Sequence, residues 1–334
     1  MARPTYSFVI PALDEEAALG ELHQRLTRVA ERLDGAAEFI LVDDGSTDAT
    51  AELAMDLHAS DPRFKLVKLS RNFGHQFAIS AGLDFARGEA VVIMDADLQD
   101  PPELVPELAE RWRQGDEVVH AVRTSRAGET RFKRRTAAVF YRLLRRLTKV
   151  EMPLDAGDFR LVDRRIAEIV SNMPEPDRYL RGMFAWVGFR QTSVTYERSA
   201  RTAGVTKFSL ASMIRFAIDG LISFSTVPLR IILALGFAIA GLAFAAGIAA
   251  IVLKLVGAFT VPGWASLAVA LSLFSGIQFI VLGTIGLYVG RIYAQGKRRP
   301  LYLVDRAVGF GESDSRAVSI ASGSASEPTA PRPH

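Results

Sequence analysis

The chain has 334 residues, long enough for one sizeable core and a smaller appendage, with 40 Lys or Arg against 37 Asp or Glu. It lacks cysteine, which excludes disulfides, thiolate metal sites and thiol nucleophiles. The formal charge is only +3, so its distribution matters more than its sum. The chain is mixed and globular in character to about Arg230, whereas from Ile231 to Gly290 the only charged residue is Lys254.

The first apolar stretch, Phe8 to Leu13, is too short for a signal-peptide core and runs into Asp14-Glu15-Glu16. The N-terminal region is therefore expected to stay in the cytoplasm. Short apolar runs predict strands at Ser7–Ile10, Phe39–Val42, Lys65–Leu69, Ala90–Met94 and Val118–Ala121. Between them, helices are predicted at Glu15–Leu33, Ala49–Ala59, Gln76–Ala86 and Pro102–Arg113. This alternation implies βαβ units, a mostly parallel α/β sheet, and ligands bound beyond the carboxyl ends of the strands.

Between Arg123 and Lys149 lie ten Arg or Lys residues and one acid, Glu129. Within that run, about 132–147, Phe132, Val139, Phe140, Leu143, Leu144 and Leu147 form a helical stripe with the arginines off it. It reads either as a basic helix in a membrane interface or as a solvated face over the core. Leu210, Met213, Ile214, Ala217, Ile218 and Leu221 make a second stripe, predicting an amphipathic helix on the bilayer at about 206–229.

Ile231 to Leu253 is an uncharged run of 23 residues, enough to cross ~30 Å of hydrocarbon. A second span, Leu267 to Val289, follows the Val261-Pro262-Gly263-Trp264 turn, giving a hairpin over 230–291. Arg230 before the hairpin and Arg291, Lys297, Arg298 and Arg299 after it place both ends in the cytoplasm. Small residues in the first span, Gly236, Ala240, Gly241 and Gly247, permit close helix contact and hence a homo-oligomer. The remainder, 292–334, is expected to be a cytoplasmic tail, disordered from about Gly311 by its Ser, Ala, Pro and Thr content.

Asp95-Ala96-Asp97 is the sharpest chemical feature. An isolated Asp-x-Asp is usually a solvated turn, but here it ends an apolar strand and runs into Leu98-Gln99-Asp100-Pro101-Pro102. Two carboxylates, the neutral oxygen of Gln99 and diphosphate oxygens would suit Mg²⁺ or Mn²⁺. Asp43 and Asp44 end another strand before Gly45-Ser46-Thr47-Asp48. Turn chemistry and capping by Ser46 or Asp48 explain part of this cluster. Two successive acids also suit hydrogen bonds from a nucleobase or ribose, with Pro11 to Glu15 as the opposite wall.

The segments Val9-Ile10-Pro11-Ala12-Leu13-Asp14-Glu15-Glu16, Val42-Asp43-Asp44-Gly45-Ser46, Arg71-Asn72-Phe73-Gly74 and Asp95-Ala96-Asp97-Leu98-Gln99-Asp100-Pro101 together resemble family 2 glycosyltransferases. More narrowly, the chain resembles the polyprenyl-phosphate type, the dolichyl-phosphate mannose synthases and bactoprenol glucosyltransferases. The likeness continues through Gly157-Asp158-Phe159-Arg160-Leu161, Arg181-Gly182-Met183, Trp186-Val187-Gly188-Phe189 and Ser223-Phe224-Ser225-Thr226-Val227-Pro228-Leu229-Arg230. It implies a GT-A fold in which Asp97 and Gln99 hold the metal and Asp95 meets the metal or nucleotide-sugar. It also implies that Pro11, Leu13, Glu15, Asp43 and Asp44 surround the base and ribose. Arg123 and Arg135 would hold the lipid phosphate, and Arg201 and Lys207 would close over the phosphates. Asp14 replaces the usual Asn, and His75-Gln76 replace a frequent Lys-Glu pair, which leaves the sugar contacts open.

The implied reaction is an inverting transfer of one sugar from a nucleotide-sugar to polyprenyl phosphate at the cytoplasmic membrane. The acceptor phosphate is already an anion, so alignment and leaving-group stabilisation matter more than a general base. Asp158 stands as the remaining carboxylate for orienting the acceptor or acting as base, or else as an ion-pair partner of Arg160. UDP-glucose is the favoured donor, with GDP-mannose, UDP-N-acetylhexosamines and UDP-aminoarabinose derivatives as alternatives. A processive synthase would carry a Gln-x-x-Arg-Trp motif, which is absent. A non-catalytic scaffold would not need the acidic motifs, and no nucleic-acid module surrounds the basic run, so nucleic acid is not an expected partner. The homo-oligomer would by analogy be a tetramer.

Overall fold

The computed structural model describes residues 4–123, 156–175, 178–196, 263–297 and 299–311, with single positions between 232 and 256. The chain divides into two compact units: one runs to Lys207 and resumes at Arg299, and the other comprises Phe208–Arg298 together with Arg146–Lys149. The basic stripe at 132–147, the stripe at 206–229 and the tail from 312 lie outside the described residues, as do Arg135, Arg201 and Lys207.

In chain order the first unit contains β1 (Tyr6–Ala12), α1 (Glu16–Ala30), β2 (Ala37–Asp43), α2 (Thr50–Ser60), β3 (Phe64–Leu69) and α3 (His75–Phe85). There follow β4 (Ala90–Ile93), α4 (Val105–Arg113), β5 (Val118–Arg123), β6 (Ala156–Asp163), α5 (Arg164–Ser171), α6 (Leu180–Trp186), β7 (Gln191–Tyr196) and β8 (Val304–Val308). The predicted strands and helices in the first 120 residues are present. The predicted helix at Pro102 opens as a 3-10 turn, Pro102–Leu104, before α4. Pro106 has no N–H to return to the Pro102 carbonyl, so the α-helical ladder cannot start there.

The sheet order is β7-β5-β6-β4-β1-β2-β3-β8. β1, β2, β3, β4, β5 and β7 run one way, while β6 and β8 are reversed against their neighbours. This is the GT-A-like, mostly parallel α/β arrangement that the resemblance implied. β1 and β2 are buried along their whole length, as parallel strands covered on both faces must be. Tyr6, Phe8 and Ile10 of β1 join Leu22 of α1, Ala54 of α2 and Leu108 of α4 in the main core cluster. Val9 points to the other face, where α3 lies so close that a Cβ on Gly82 would sit 2.2 Å from Val9 Cγ1.

The strand β8 belongs to what reads in sequence as tail. It pairs antiparallel with the edge strand β3, and Tyr302 Oη donates to Asp84 Oδ2 at 2.5 Å. Phe310 stacks edge-on against Phe85, with ring centroids 4.8 Å apart. Covering β3 in this way removes an exposed sheet edge.

In the second unit, α7 (Trp264–Gly296) is a single helix of 33 residues, about 50 Å long at 1.5 Å per residue. Its stretch Leu273–Gly290 is, among the described residues, the one helix long and apolar enough to cross a membrane, and none of that stretch is buried. Leu273, Phe279, Ile280 and Leu287 are more than half exposed, which is not how a core helix of a water-soluble domain is packed. The described positions between 232 and 255 are also helical.

His120 on β5 is buried, with Nε2 3.0 Å from Gln191 Oε1. Burial, and then the charge of the equally buried Arg160, push its pKa down to about 4. An unfolded histidine titrates near 6.5, so the unfolded chain takes up this proton first. The stability His120 confers is complete above pH ~6.5 and is lost as pH falls toward ~4, by up to roughly 3 kcal/mol. The thermal midpoint of the full chain should therefore drop between pH 7 and 5, and His120→Gln should flatten that drop. A variant that declines as steeply as the parent protein would assign the effect elsewhere.

Candidate active site

Six strands share one direction, so their carboxyl ends line one edge of the sheet, and reversed β6 brings its first residues to the same edge. Its pairing with β4 sets Ile93 opposite Arg160. Two residues further along that register, Asp95 comes level with Asp158. The edge encloses a pocket of about 380 Å³ whose lining includes Pro11, Leu13, Glu15, Asp44, Asp95 and Asp97. Asn72 and His75 complete one side. Of the residues assigned to the nucleotide-sugar, the structure therefore gathers all but Asp43.

The wall after β2 depends on a close backbone approach. Gly45 has φ 75°, and a Cβ there would lie 2.5 Å from the Arg71 carbonyl carbon and 2.6 Å from the Asn72 nitrogen. Only glycine fits. Asp43 is fully buried, and its Oδ1 accepts from Ser46 N at 2.9 Å, so it shapes the turn from beneath and does not face the pocket. Asp44 accepts from Phe73 N at 2.8 Å and Gly74 N at 2.9 Å, one oxygen each. Burial raises its pKa against these two bonds. Its role in the structure is to fasten the Arg71–Gly74 loop, which delivers His75 to the pocket. Neither Ser46 nor Asp48 is the N-cap of α2, which is Ala49; Asp48, one residue earlier, accepts from Thr50 N at 3.0 Å, while Ser46 Oγ accepts from Asp14 N at 3.0 Å.

Asp14 adopts a left-handed conformation, φ 54°, and accepts from Thr47 N at 2.7 Å. Asn and Asp tolerate that conformation best among residues with a Cβ, and either offers the same Oδ1, which explains why Asp can stand in the usual place of Asn.

On the facing loop, Asp97 Oδ1 accepts from Gln99 N at 3.1 Å. Leu98 between them is also left-handed, φ 57°, at a cost of about 1–2 kcal/mol, while its side chain packs against the core cluster. Asp95 Oδ1 is buried and makes no hydrogen bond. Burial, with further repulsion from Asp100, Asp158 and Asp97, raises the Asp95 pKa to about 6 despite nearby His75. Glu15 is raised too, by burial and then by Asp97 and Asp95. Among the described residues no three His, Cys, Asp or Glu side chains enclose a metal position. Gln99 does not line the pocket. Crowded carboxylates with an unbonded buried oxygen nevertheless fit a divalent cation whose remaining ligands come from elsewhere.

Asp158 is 7% exposed. The nearer charge in sequence, Arg160, is not its principal partner. Arg160 donates to the Asp158 carbonyl at 3.1 Å and the Gly157 carbonyl at 2.8 Å, and sits 4.8 Å over the Phe184 ring. Arg181 instead grips both Asp158 oxygens, Nε at 2.9 Å and Nη2 at 3.0 Å. His75 Nε2 is 3.4 Å from Asp158 Oδ2 and from Asp95 Oδ1. Burial opposes the Asp158 charge, but His75 and Arg181 outweigh it and hold the carboxyl well below the usual range. So held, Asp158 is poorly suited to accept a proton. Sequence reasoning quoted Arg181 only within a motif and gave it no role; a second basic residue near Asp158 was the available signal.

Arg123 ends β5, outside the pocket lining. Its Nε donates to Tyr196 Oη at 3.1 Å and its Nη2 to Asp100 Oδ1 at 3.2 Å. Tyr196 Oη donates in turn to Asp100. Burial and Asp100 push the Tyr196 pKa up to about 12, so the hydroxyl keeps its proton. Neither Asp100 nor Tyr196 was singled out from sequence.

An acidic pocket at the carboxyl edge of a mostly parallel sheet defines the class: an α/β enzyme of the GT-A-like kind. Residues 7–170 match the family described as glycosyl transferase family 2. An uncharacterized glycosyltransferase of Bacillus subtilis (strain 168), YkcC, is 46% identical over 305 residues, 91% of this chain and 94% of its own. The prophage bactoprenol glucosyl transferase homolog of Escherichia coli (strain K12) is 38% identical over 300 residues, 90% of this chain and 98% of its own. The bactoprenol glucosyl transferase of Shigella phage SfV is 37% identical over 298 residues, 89% and 97%. The chain belongs to glycosyltransferase family 2 and is similar along most of its length to bactoprenol glucosyl transferases.

Replacing Gly45 by Ala should push the Arg71–Gly74 loop from its seat without touching a ligand. Strain of about 1–3 kcal/mol at such a site predicts a thermal midpoint lowered by several degrees, read by calorimetry on the full chain. An unchanged midpoint would mean that the close approach at Gly45 does not constrain this loop.

Proposed function

We propose that this glycosyltransferase moves a single sugar from a nucleotide-sugar, UDP-glucose by preference, to a polyprenyl phosphate at the cytoplasmic membrane face, with inversion. The observation that carries the reading is the pocket's excess of acid. Glu15, Asp95 and Asp97 crowd together, and among the described residues buried Asp95 Oδ1 has no hydrogen bond and only His75, 3.4 Å away, to offset its charge. A pocket of that charge suits a divalent cation arriving with a nucleoside diphosphate. The names of the relatives support the acceptor and favour glucose over the other donors.

In this reading Asp95 and Asp97 would hold Mg²⁺ or Mn²⁺, which when bound offsets the charge of the departing diphosphate, while Gln99, outside the pocket lining, supports Asp97 through its backbone N–H. Pro11, Leu13, Glu15 and Asp44 flank the nucleotide, and Asp43 supports them from below. Arg123, with Arg135, Arg201 and Lys207, supplies cationic donors for phosphate groups. The acceptor phosphate needs no base, so Asp158 serves through its pairing with Arg181 and His75. His75, in the place of a frequent Lys, is the pocket's candidate contact to the sugar.

Connectivity supports a membrane anchor of two spans. β7 ends at Tyr196 and β8 begins at Val304, yet both lie in one sheet. If α7 crosses the bilayer, the chain between them must cross an even number of times, so a second crossing lies before Gly263. The uncharged run Ile231–Leu253 is long enough to supply it. Gly236 and Gly241, where a Cβ would meet nothing within 4 Å, leave room for the close approach of a second copy, which supports a homo-oligomer.

The purified protein should label undecaprenyl phosphate from one member of a panel of radiolabelled nucleotide-sugars. Chelator or Asp97→Ala should lower labelling by about 100-fold or more, the scale of a lost charge-stabilising group. No labelled lipid from any donor, with folded protein and accessible lipid, would sink the proposal. Because the chain has no cysteine, its topology can be mapped on single introduced thiols. Thr260→Cys should react with an impermeant reagent in intact cells, and Asp305→Cys only after permeabilisation; the reverse pattern would refute the orientation.

A further inference from the structure

The carboxyl edge carries a second constellation that neither the pocket nor the pairing of Asp158 uses. Arg123 and Tyr196 are the last residues of β5 and β7 and stand opposite each other in the parallel register. Asp100, 1% exposed, closes the loop that begins at Asp95. Its Oδ1 receives both the Tyr196 hydroxyl and Arg123 Nη2, while Arg123 Nε donates to the tyrosine oxygen. The three side chains form a closed ring of hydrogen bonds.

We propose that Asp100 and Tyr196 are positioning residues that fix Arg123 as a receptor for the acceptor's phosphate monoester, building that receptor on the same loop as the Asp95 and Asp97 carboxylates. This rests on the reading of Arg123 given above and adds how its guanidinium is aimed.

The contrast with Arg181 argues that Arg123 does more than neutralise a buried acid. Arg181 turns its fork onto Asp158, two parallel bonds to two oxygens. Arg123 gives Asp100 one nitrogen, places Nε on a neutral hydroxyl, and leaves Nη1 without a partner among the described residues. Its side chain is a quarter exposed. Gly157 lies beside it, and a Cβ there would reach to 3.4 Å from Nη2. With two nitrogens tied, the guanidinium plane cannot swing, and its free edge is pre-aimed for an anion. Because Asp100 follows Asp97 by three residues, a shift of the metal-side loop is carried to that edge.

The test uses the full-length protein in detergent, with farnesyl phosphate as acceptor probe and UDP with Mn²⁺ as donor probe. Tyr196→Phe keeps the ring against Phe159, whose centroid is 6.1 Å away, and removes only the hydroxyl. Asp100→Asn keeps the shape and removes the charge. Each should weaken farnesyl phosphate binding about tenfold, as expected for a misdirected charged hydrogen bond, and leave UDP binding within about twofold. In transfer assays the acceptor KM should rise while kcat at saturating acceptor changes little. Unchanged acceptor affinity with a lowered melting temperature would reduce the ring to a structural pair and overturn the proposal. Weakened UDP binding with intact acceptor affinity would also overturn it, by assigning Asp100 to the donor loop. If the parent protein binds UDP but no farnesyl phosphate, the acceptor reading itself fails, a result separable from both.

Discussion

The structure turns on an electrostatic conflict at one edge of its sheet. Parallel β1, β2 and β4 deliver Glu15, Asp44, Asp95 and Asp97 to one pocket, and reversed β6 sets Asp158 behind its His75 wall. Like charges this close repel and resist burial. The fold settles part of the conflict by fixed partners: backbone N–H groups for Asp44, and Arg181 with His75 for Asp158. Asp95, Asp97 and Glu15 are settled less fully: among the described residues Asp95 has only His75 at 3.4 Å and Asp97 only the Gln99 N–H, and the Asp95 pKa rises to about 6. Under the proposed reading a cation would offset that residual charge, whereas a fully paired site would have to be broken open to admit one.

Much of the backbone irregularity serves this arrangement. The left-handed residues Asp14 and Leu98 and the glycines at 45 and 74 sit in the loops that rim the pocket. Leu98 is held in an unfavourable conformation by core packing on one side and the Asp97–Gln99 turn on the other. Strain of this kind persists where surrounding structure over-determines it.

The first five strands and their helices were legible because strands buried on both faces read as unbroken apolar runs, and the polar clusters after them marked the carboxyl edge. β7 and β8 were not. Gln191-Thr192-Ser193-Val194-Thr195-Tyr196 buries only Val194 and Tyr196, and Val304–Val308 carries Asp305 and Arg306 on an outer strand. β6 was seen as a motif, not as a strand, because its place between β4 and β5 is set by long-range pairing that no local pattern records. The same limit applied to the site. Asp95, Asp97 and Asp44 announce themselves by spacing after strands, whereas the Asp158–Arg181 pair and the Asp100–Tyr196–Arg123 ring join residues 23 to 96 apart in sequence. Sequence proximity favoured Arg160 for Asp158, and Arg160 Nη2 does lie 3.5 Å from Asp158 Oδ1, but the fully buried Arg160 gives its hydrogen bonds to carbonyls and sits over the Phe184 ring.

β8 carries the last consequence. The chain leaves the sheet after β7, runs through the apolar unit, and re-enters the same sheet at β8. The re-entry is reinforced by Tyr302 on Asp84, by Phe310 on Phe85, and by Lys65 lying 5.0 Å from the Phe310 ring centroid. Two covalent connections in place of one make the apolar unit an insertion within the folded domain, not a trailing anchor. Closing the chain back onto the sheet carries an entropic cost that grows only slowly with loop length. The edge strand β3 needed covering in any case, so one pairing both protects the sheet and closes the loop.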